Sequence, residues 1–159
     1  MSTGDATGRP AADQSGAARR LTELVDEVFR LADALTRAGD ELVASDGLTA
    51  SRWLTLGAIA HGPLSVAAIA RRRGMRRQSA AESVAQLESA GLVTRTPDPA
   101  DARAPLVALT EEGRRVLDGI RPRRLAWAEE TARVADEREL AAAVDLARRL
   151  RQRLDATAP

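Results

Sequence analysis

The sequence predicts a mainly α-helical protein with one short β-hairpin set among its helices, and three observations carry that prediction. Hydrophobic residues make up 44% of the 159 residues but aromatic residues only 2%. The core must then be built from Ala, Leu and Val, which suits packed helices better than sheets. Long stretches near both ends repeat apolar residues at helical spacing. Between them lie two short helical segments joined by a glycine turn, then two apolar runs flanking a polar hairpin.

Residues 1–17 (MSTGDATGRPAADQSGA) are rich in Gly, Ala, Ser and Asp, without apolar periodicity, and are expected to be a disordered tail. From 18 to 46 runs one amphipathic helix. Leu21, Val28, Leu35 and Leu42 stand seven apart, with Leu24, Val25 and Leu31 on the same side. Asp46-Gly47 ends it. Thr49 is placed to cap a helix over 50–60, which His61-Gly62-Pro63 breaks.

Next, Ser65–Arg72 forms a short helix, Arg73-Gly74-Met75 a tight turn, and Arg76–Ala90 a second helix stopped by Gly91. The runs LVTRT and PLVAL read as strands around the hairpin Asp98–Arg103. This order makes a winged helix-turn-helix over 48–121 with a two-stranded wing. A helix after such a turn fits the major groove of DNA, and a charged hairpin beside it reaches an adjacent minor groove. Thr110-Glu111-Glu112 opens a further helix, with a capping hydroxyl and carboxylates against the helix dipole. It is expected to run to about Ile120, with a kink or brief break at Pro122 before a helix over 123–134. Asp136 and Glu139 form a capping-box start for the last helix, in which Leu140, Ala147 and Leu154 repeat every seven residues beside Val144 and Leu150. The stripes of 18–46 and 122–155 would be half exposed in a monomer. A twofold homodimer buries them and presents two recognition helices to an inverted repeat in double-stranded DNA.

Composition excludes several alternatives. With no cysteine and one histidine, His61, the chain has no disulfide, no thiolate metal site and little for acid–base chemistry, so no metal, cofactor or enzymatic activity is expected. No apolar run approaches the roughly 18 residues a membrane span requires, and no secretory signal opens the chain, so a cytoplasmic protein is expected. Net charge is only +1, but its distribution is uneven. All 24 basic residues are Arg, and five of them, Arg71, Arg72, Arg73, Arg76 and Arg77, fall at the helix-turn-helix corner, where phosphates would lie.

The segments SVAAIARRRGMRRQSAAESVAQLESAGLV and TRTPDPADARAPLVALTEEGRRVL resemble the MarR family of bacterial transcription regulators. The likeness extends over about residues 20–154 and includes the wing pattern Asp101-x-Arg103 and the following Leu109-Thr110-x-x-Gly113. It implies a homodimeric regulator, by family habit a repressor of palindromic operators, released by a small, frequently aromatic ligand. Arg77, Gln78 and Ser79 match the start of the recognition helix. Arg103 matches a minor-groove cation held by Asp101. Three positions depart from the family. Arg76 stands where a Ser or Thr cap is usual, Glu82 where a basic residue is frequent, and Ala102 where an Arg is frequent.

In the recognition helix Ala80, Val84, Leu87 and Gly91 are expected to face the core, with Gln78, Ser79, Ala81, Glu82 and Ala85 toward the groove. Gln pairs with adenine, Arg with guanine, and Glu accepts from cytosine. Arg71, Arg72, Arg73 and Arg76 read as phosphate clamps. Trp53, Trp127, Phe29 and His61 are the candidates for an effector-ligand pocket between the terminal helices and the DNA-binding lobe, although scarce aromatics at helical positions more often serve the core. The competing class is an interaction module that keeps the fold without reading DNA, favoured by Glu82 and Ala102.

Overall fold

The computed structural model describes residues 15–101 and 104–157. Helix α1 spans Gly16–Val43, capped by Ser15, whose Oγ accepts from the Ala18 amide at 3.2 Å. The helix thus takes in Gly16 and Ala17, which the sequence assigns to the tail. Ser15 of that tail caps the helix, and residues 1–14 lie outside the described residues. One 3-10 turn, Ala44–Asp46, follows and is closed by Gly47 at φ 67°. Helix α2, Ala50–Ala58, is capped twice: Thr49 Oγ1 accepts from Arg52 N, and Asp40 Oδ1 accepts from Ala50 N at 2.6 Å. The second cap ties the end of α1 to the start of α2, against which Gly39 packs so closely that a Cβ there would lie 2.9 Å from the Ala50 Cβ.

Strand β1 (Leu64–Ser65) precedes α3 (Val66–Arg73), α4 (Arg77–Ser89), β2 (Val93–Thr96) and β3 (Leu106–Leu109). Helices α3 and α4 both end in paired backbone bonds of the Schellman type. Met75 N reaches Ala70 O and Gly74 N reaches Arg71 O; Leu92 N reaches Leu87 O and Gly91 N reaches Glu88 O. Gly74 and Gly91 stand at φ 62° and 71°, a conformation glycine adopts without strain. The sheet is antiparallel in the order β1-β3-β2, with Val93 opposite Leu109 and Leu64 opposite Val107. It therefore holds a third strand beyond the expected two-stranded wing. Two residues carry no readable alternation, and Ser65 serves both as strand end and as cap of α3.

Helix α5 runs from Glu111 to Ala132 with Pro122 inside it; of the expected kink or brief break, the break does not occur. The helix is held on both sides of the proline. Ile120 is fully buried, and Arg123 donates to Ser45 Oγ at 2.6 Å and to Asp46 Oδ2 at 2.5 Å. Helix α6, Glu137–Asp155, begins with the anticipated capping box of Asp136 and Glu139. The core is one cluster in which Leu56, Ile69, Val84, Leu87, Val107 and Ile120 are sealed from solvent. By contrast α6 contains no buried residue, and Leu21, Val25, Val28, Leu31 and Leu35 of α1 are all exposed.

Candidate nucleic-acid interface and adjoining cavity

Helix α4 is two-faced. Ala80, Ser83, Val84 and Leu87 are buried, and Ser83 shares a hydroxyl contact of 3.2 Å with Ser51 of α2. Arg77, Gln78, Ser79, Glu82 and Ala85 are exposed along the opposite face, whereas Ala81 is half-buried and Gly91 is exposed at the turn. Gln78 Nε2 donates to Glu82 Oε1 at 3.1 Å. A carboxylate only accepts, so this contact fixes which end of the Gln78 amide points along the helix. Arg76 is the N-cap residue and makes no side-chain cap. The first amides of α4 are therefore left without a side-chain acceptor, and a helix N-terminus in that condition suits a phosphate.

The five arginines of the corner divide into two groups. Arg71, Arg76 and Arg77 are exposed, and their side chains make no hydrogen bond or ion pair with any described residue. Arg72 and Arg73 turn back onto α2. Arg72 donates to Ala58 O at 3.1 Å, and Arg73 Nε donates to Leu54 O at 2.6 Å. Arg72 serves the last carbonyl of α2, where the helix dipole favours a cation, and Arg73 one at the helix midpoint. Arg73 is half-buried, and burial, then the neighbouring Arg72, lowers its pKa below the usual arginine value.

In the wing hairpin Asp98 Oδ1 accepts from Ala100 N at 2.9 Å, forming an Asx turn, and Asp101 O accepts from Ala104 N. Asp101 is exposed. Arg103 and Ala102 lie outside the described residues. Arg95 of β2 pairs with Glu88 of α4 at 3.0 Å and fixes the wing against the recognition helix. At the other end of the hairpin, Thr110 Oγ1 donates to Gly91 O at 2.7 Å and accepts from Gly113 N at 3.0 Å, while Thr110 N donates to Leu92 O. A Cβ on Gly113 would lie 2.1 Å from that same Leu92 oxygen. The motif Leu109-Thr110-x-x-Gly113 thus joins three elements at one point.

Two cavities adjoin the lobe. The first, of about 730 Å³, is lined by Trp53, His61 and Trp127 together with Arg73, Arg114, Arg121, Arg124 and Asp118. The second, of about 410 Å³, lies between α1, α2 and α5 and is walled by Leu35, Leu42, Leu54, Met75 and again Trp53 and Trp127. Three of the four ligand candidates are thus brought together. Phe29 is not among them; it stands 73% exposed on the α1 stripe, outside both cavities. The cavity arginines of α5 were passed over in the sequence, although residues 114, 121 and 124 share one helical face by their spacing of seven and three.

The architecture defines a winged-helix DNA-binding protein, and comparison with known proteins agrees. The MarR family profile matches residues 46–104. An uncharacterised protein of Mycobacterium tuberculosis is 35% identical over 139 residues, 87% of this chain and 97% of the relative. The transcriptional activatory protein BadR of Rhodopseudomonas palustris is 32% identical over 117 residues, 69% of this chain and 66% of that one. Among solved structures, CouR of Rhodococcus jostii bound to p-coumaroyl-CoA superposes with a TM-score of 0.70 at 25% identity, over 77% of this chain and 87% of that one. The chain belongs to the MarR family of transcriptional regulators.

Proposed function

We propose that the protein is a homodimer that binds an inverted repeat in double-stranded DNA, represses transcription from it, and is released by a small anionic aromatic ligand. The observation that carries this reading is the uncommitted outer face of α4. Arg77, Gln78 and Ser79 are exposed at the start of a helix whose other side is locked into the core. On this reading Gln78 and Glu82 contact base edges, and Arg77 and Ser79 contact bases or backbone. Arg71 and Arg76 bind phosphates, and Arg103, steadied by Asp101, enters the minor groove. Arg72 has further N–H groups to offer a phosphate while capping α2, whereas Arg73 belongs to the cavity.

Dimerisation is supported by the exposed apolar stripes of α1 and α6, where Phe29 is 73% and Leu154 68% accessible in the single chain. Isolated patches of this extent on two long helices favour a second copy of the same surface. The ligand reading rests on the two tryptophans, His61 and the arginines around one cavity. It is consistent with the ligand in CouR, p-coumaroyl-CoA, which is both aromatic and anionic.

Selection of duplexes from random-sequence DNA, followed by footprinting and titration at several salt concentrations, tests the DNA reading. The expected result is a twofold-symmetric footprint with half-sites about one helical turn apart, and affinity falling steeply with salt. Failure to select any sequence would favour the interaction-module reading, in which Glu82 serves a protein partner.

A further inference from the structure

Arg73 is a cation without a counter-charge. Its Nε donates to the Leu54 carbonyl, and among the described residues no carboxylate lies within ion-pairing distance of it. The side chain is half-buried, and burial is the first cause of its lowered pKa. The part of the guanidinium taken out of water has a single carbonyl as its partner and no opposite charge. The cavity it faces makes the imbalance larger, because Arg114, Arg121 and Arg124 share the wall and only Asp118 opposes them. This wall is short of an anion.

A second residue fixes where the guanidinium lies. A Cβ built on Gly57 would stand 2.7 Å from an Arg73 terminal nitrogen, so the cation occupies the gap that the missing side chain leaves on α2. Arg73 is also the last residue of α3, and the next residue, Gly74 at φ 62°, begins the turn into α4. One side chain therefore touches the cavity, clasps α2 and sits at the joint that aims the recognition helix.

We propose that an anionic group entering the cavity draws the Arg73 guanidinium away from the Leu54 carbonyl and so unfastens the helix-turn-helix corner, making Arg73 the link between ligand and DNA. The inference rests on the ligand-release reading above. The exchange is favourable because a carboxylate takes two charge-assisted hydrogen bonds from a guanidinium where a carbonyl takes one weaker bond. With the α2–α3 clasp open, the turn at Gly74 resets and α4 leaves the orientation that fits the groove. The ligand thereby favours the state that does not bind DNA.

The test uses the full-length protein, salicylate as the anionic aromatic probe, and a duplex selected from random-sequence DNA. Salicylate binding is read from tryptophan emission, since Trp53 and Trp127 are the only tryptophans and both line the cavity. DNA affinity is read by fluorescence anisotropy with and without saturating salicylate. Wild type is expected to lose about tenfold or more in DNA affinity at saturation. Arg124→Gln should bind salicylate more weakly yet lose the same factor once saturated. Arg73→Gln should lose less than about threefold at any salicylate concentration. Gly57→Ala keeps the charge but pushes the guanidinium off α2; it should bind DNA weakly without ligand and respond less than about threefold to it. Either Arg73→Gln or Gly57→Ala responding as wild type does overturns the inference and leaves the ligand reading intact. If salicylate changes neither the emission nor the DNA affinity of wild type, the ligand reading fails and the inference falls with it.

Discussion

Gly113→Ala is predicted to destabilise the protein, although alanine is the better helix former. The added Cβ would lie 2.1 Å from Leu92 O, 3.1 Å from Leu92 C and 3.2 Å from Leu109 Cδ2. The first two are backbone atoms, so relief requires moving the entry to β2 by about 1 Å or displacing the first turn of α5. Either movement strains the bonds that meet there, Thr110 N to Leu92 O at 3.1 Å and Thr110 Oγ1 to Gly91 O at 2.7 Å. Loss of two hydrogen bonds costs about 1 kcal/mol each, and overpacking adds about 1–3 kcal/mol. The gain in helix propensity returns about 0.5–1 kcal/mol. The net loss is about 3 kcal/mol, or about 6–12 °C in Tm for a domain of this size. Gly119 lies in the same helix with nothing within 4 Å of its would-be Cβ. Gly119→Ala should therefore raise stability by about 0.5–1 kcal/mol. Urea and thermal unfolding followed by circular dichroism, at one fixed protein concentration, measures both. A Gly113→Ala protein as stable as wild type would refute the close approach on which this reasoning stands.

Replacing Leu21, Val28 and Leu150 together with Asp should yield monomers or unfolded chains by sedimentation at micromolar concentration; a wild type that sediments as a monomer would contradict the dimer. For Glu82, the hydrogen bond from Gln78 turns the sequence question into a coupled one. Glu82→Gln should alter the base preferred at one position per half-site, because Gln78 loses the carboxylate that orients its amide, and a preference unchanged in selection would show that the pair does not act as a unit.

The helix-turn-helix was legible because its punctuation is chemical. Gly74 and Gly91 end helices as left-handed residues, Thr49, Thr110 and Asp136 cap helices as their hydroxyl and carboxylate groups predict, and Ala80, Val84 and Leu87 face inward at helical spacing. Strand β1 was not legible, since two residues show no period. Nor was the continuity of α5 through Pro122 legible, where Ile120 is buried and Arg123 is bonded to Asp46 far away in sequence. The same limit applies to the basic corner. Five neighbouring arginines look alike as letters, and only the fold shows that Arg72 and Arg73 turn back to carbonyls of α2 while the side chains of Arg71, Arg76 and Arg77 bond to no described residue. Glu82 likewise could be placed on the outer face, but its hydrogen bond from Gln78 shows only in the fold.

The unbroken course of α5 has a mechanical consequence. Its 22 residues span about 33 Å at 1.5 Å per residue. One end is pinned to the wing at Gly113, and the other passes the cavity at Trp127 toward α6. A helix interrupted at Pro122 would absorb a small rotation at the break. An unbroken one acts as a lever, and a tilt of about 5° at one end displaces the other by about 3 Å. If two such levers in the proposed dimer moved in opposite senses, the separation of the recognition helices would change by up to about 6 Å. That approaches two base-pair steps of about 3.4 Å each. In that proposed dimer, a minor angular change near the cavity would be enough to put one half-site out of phase with the other.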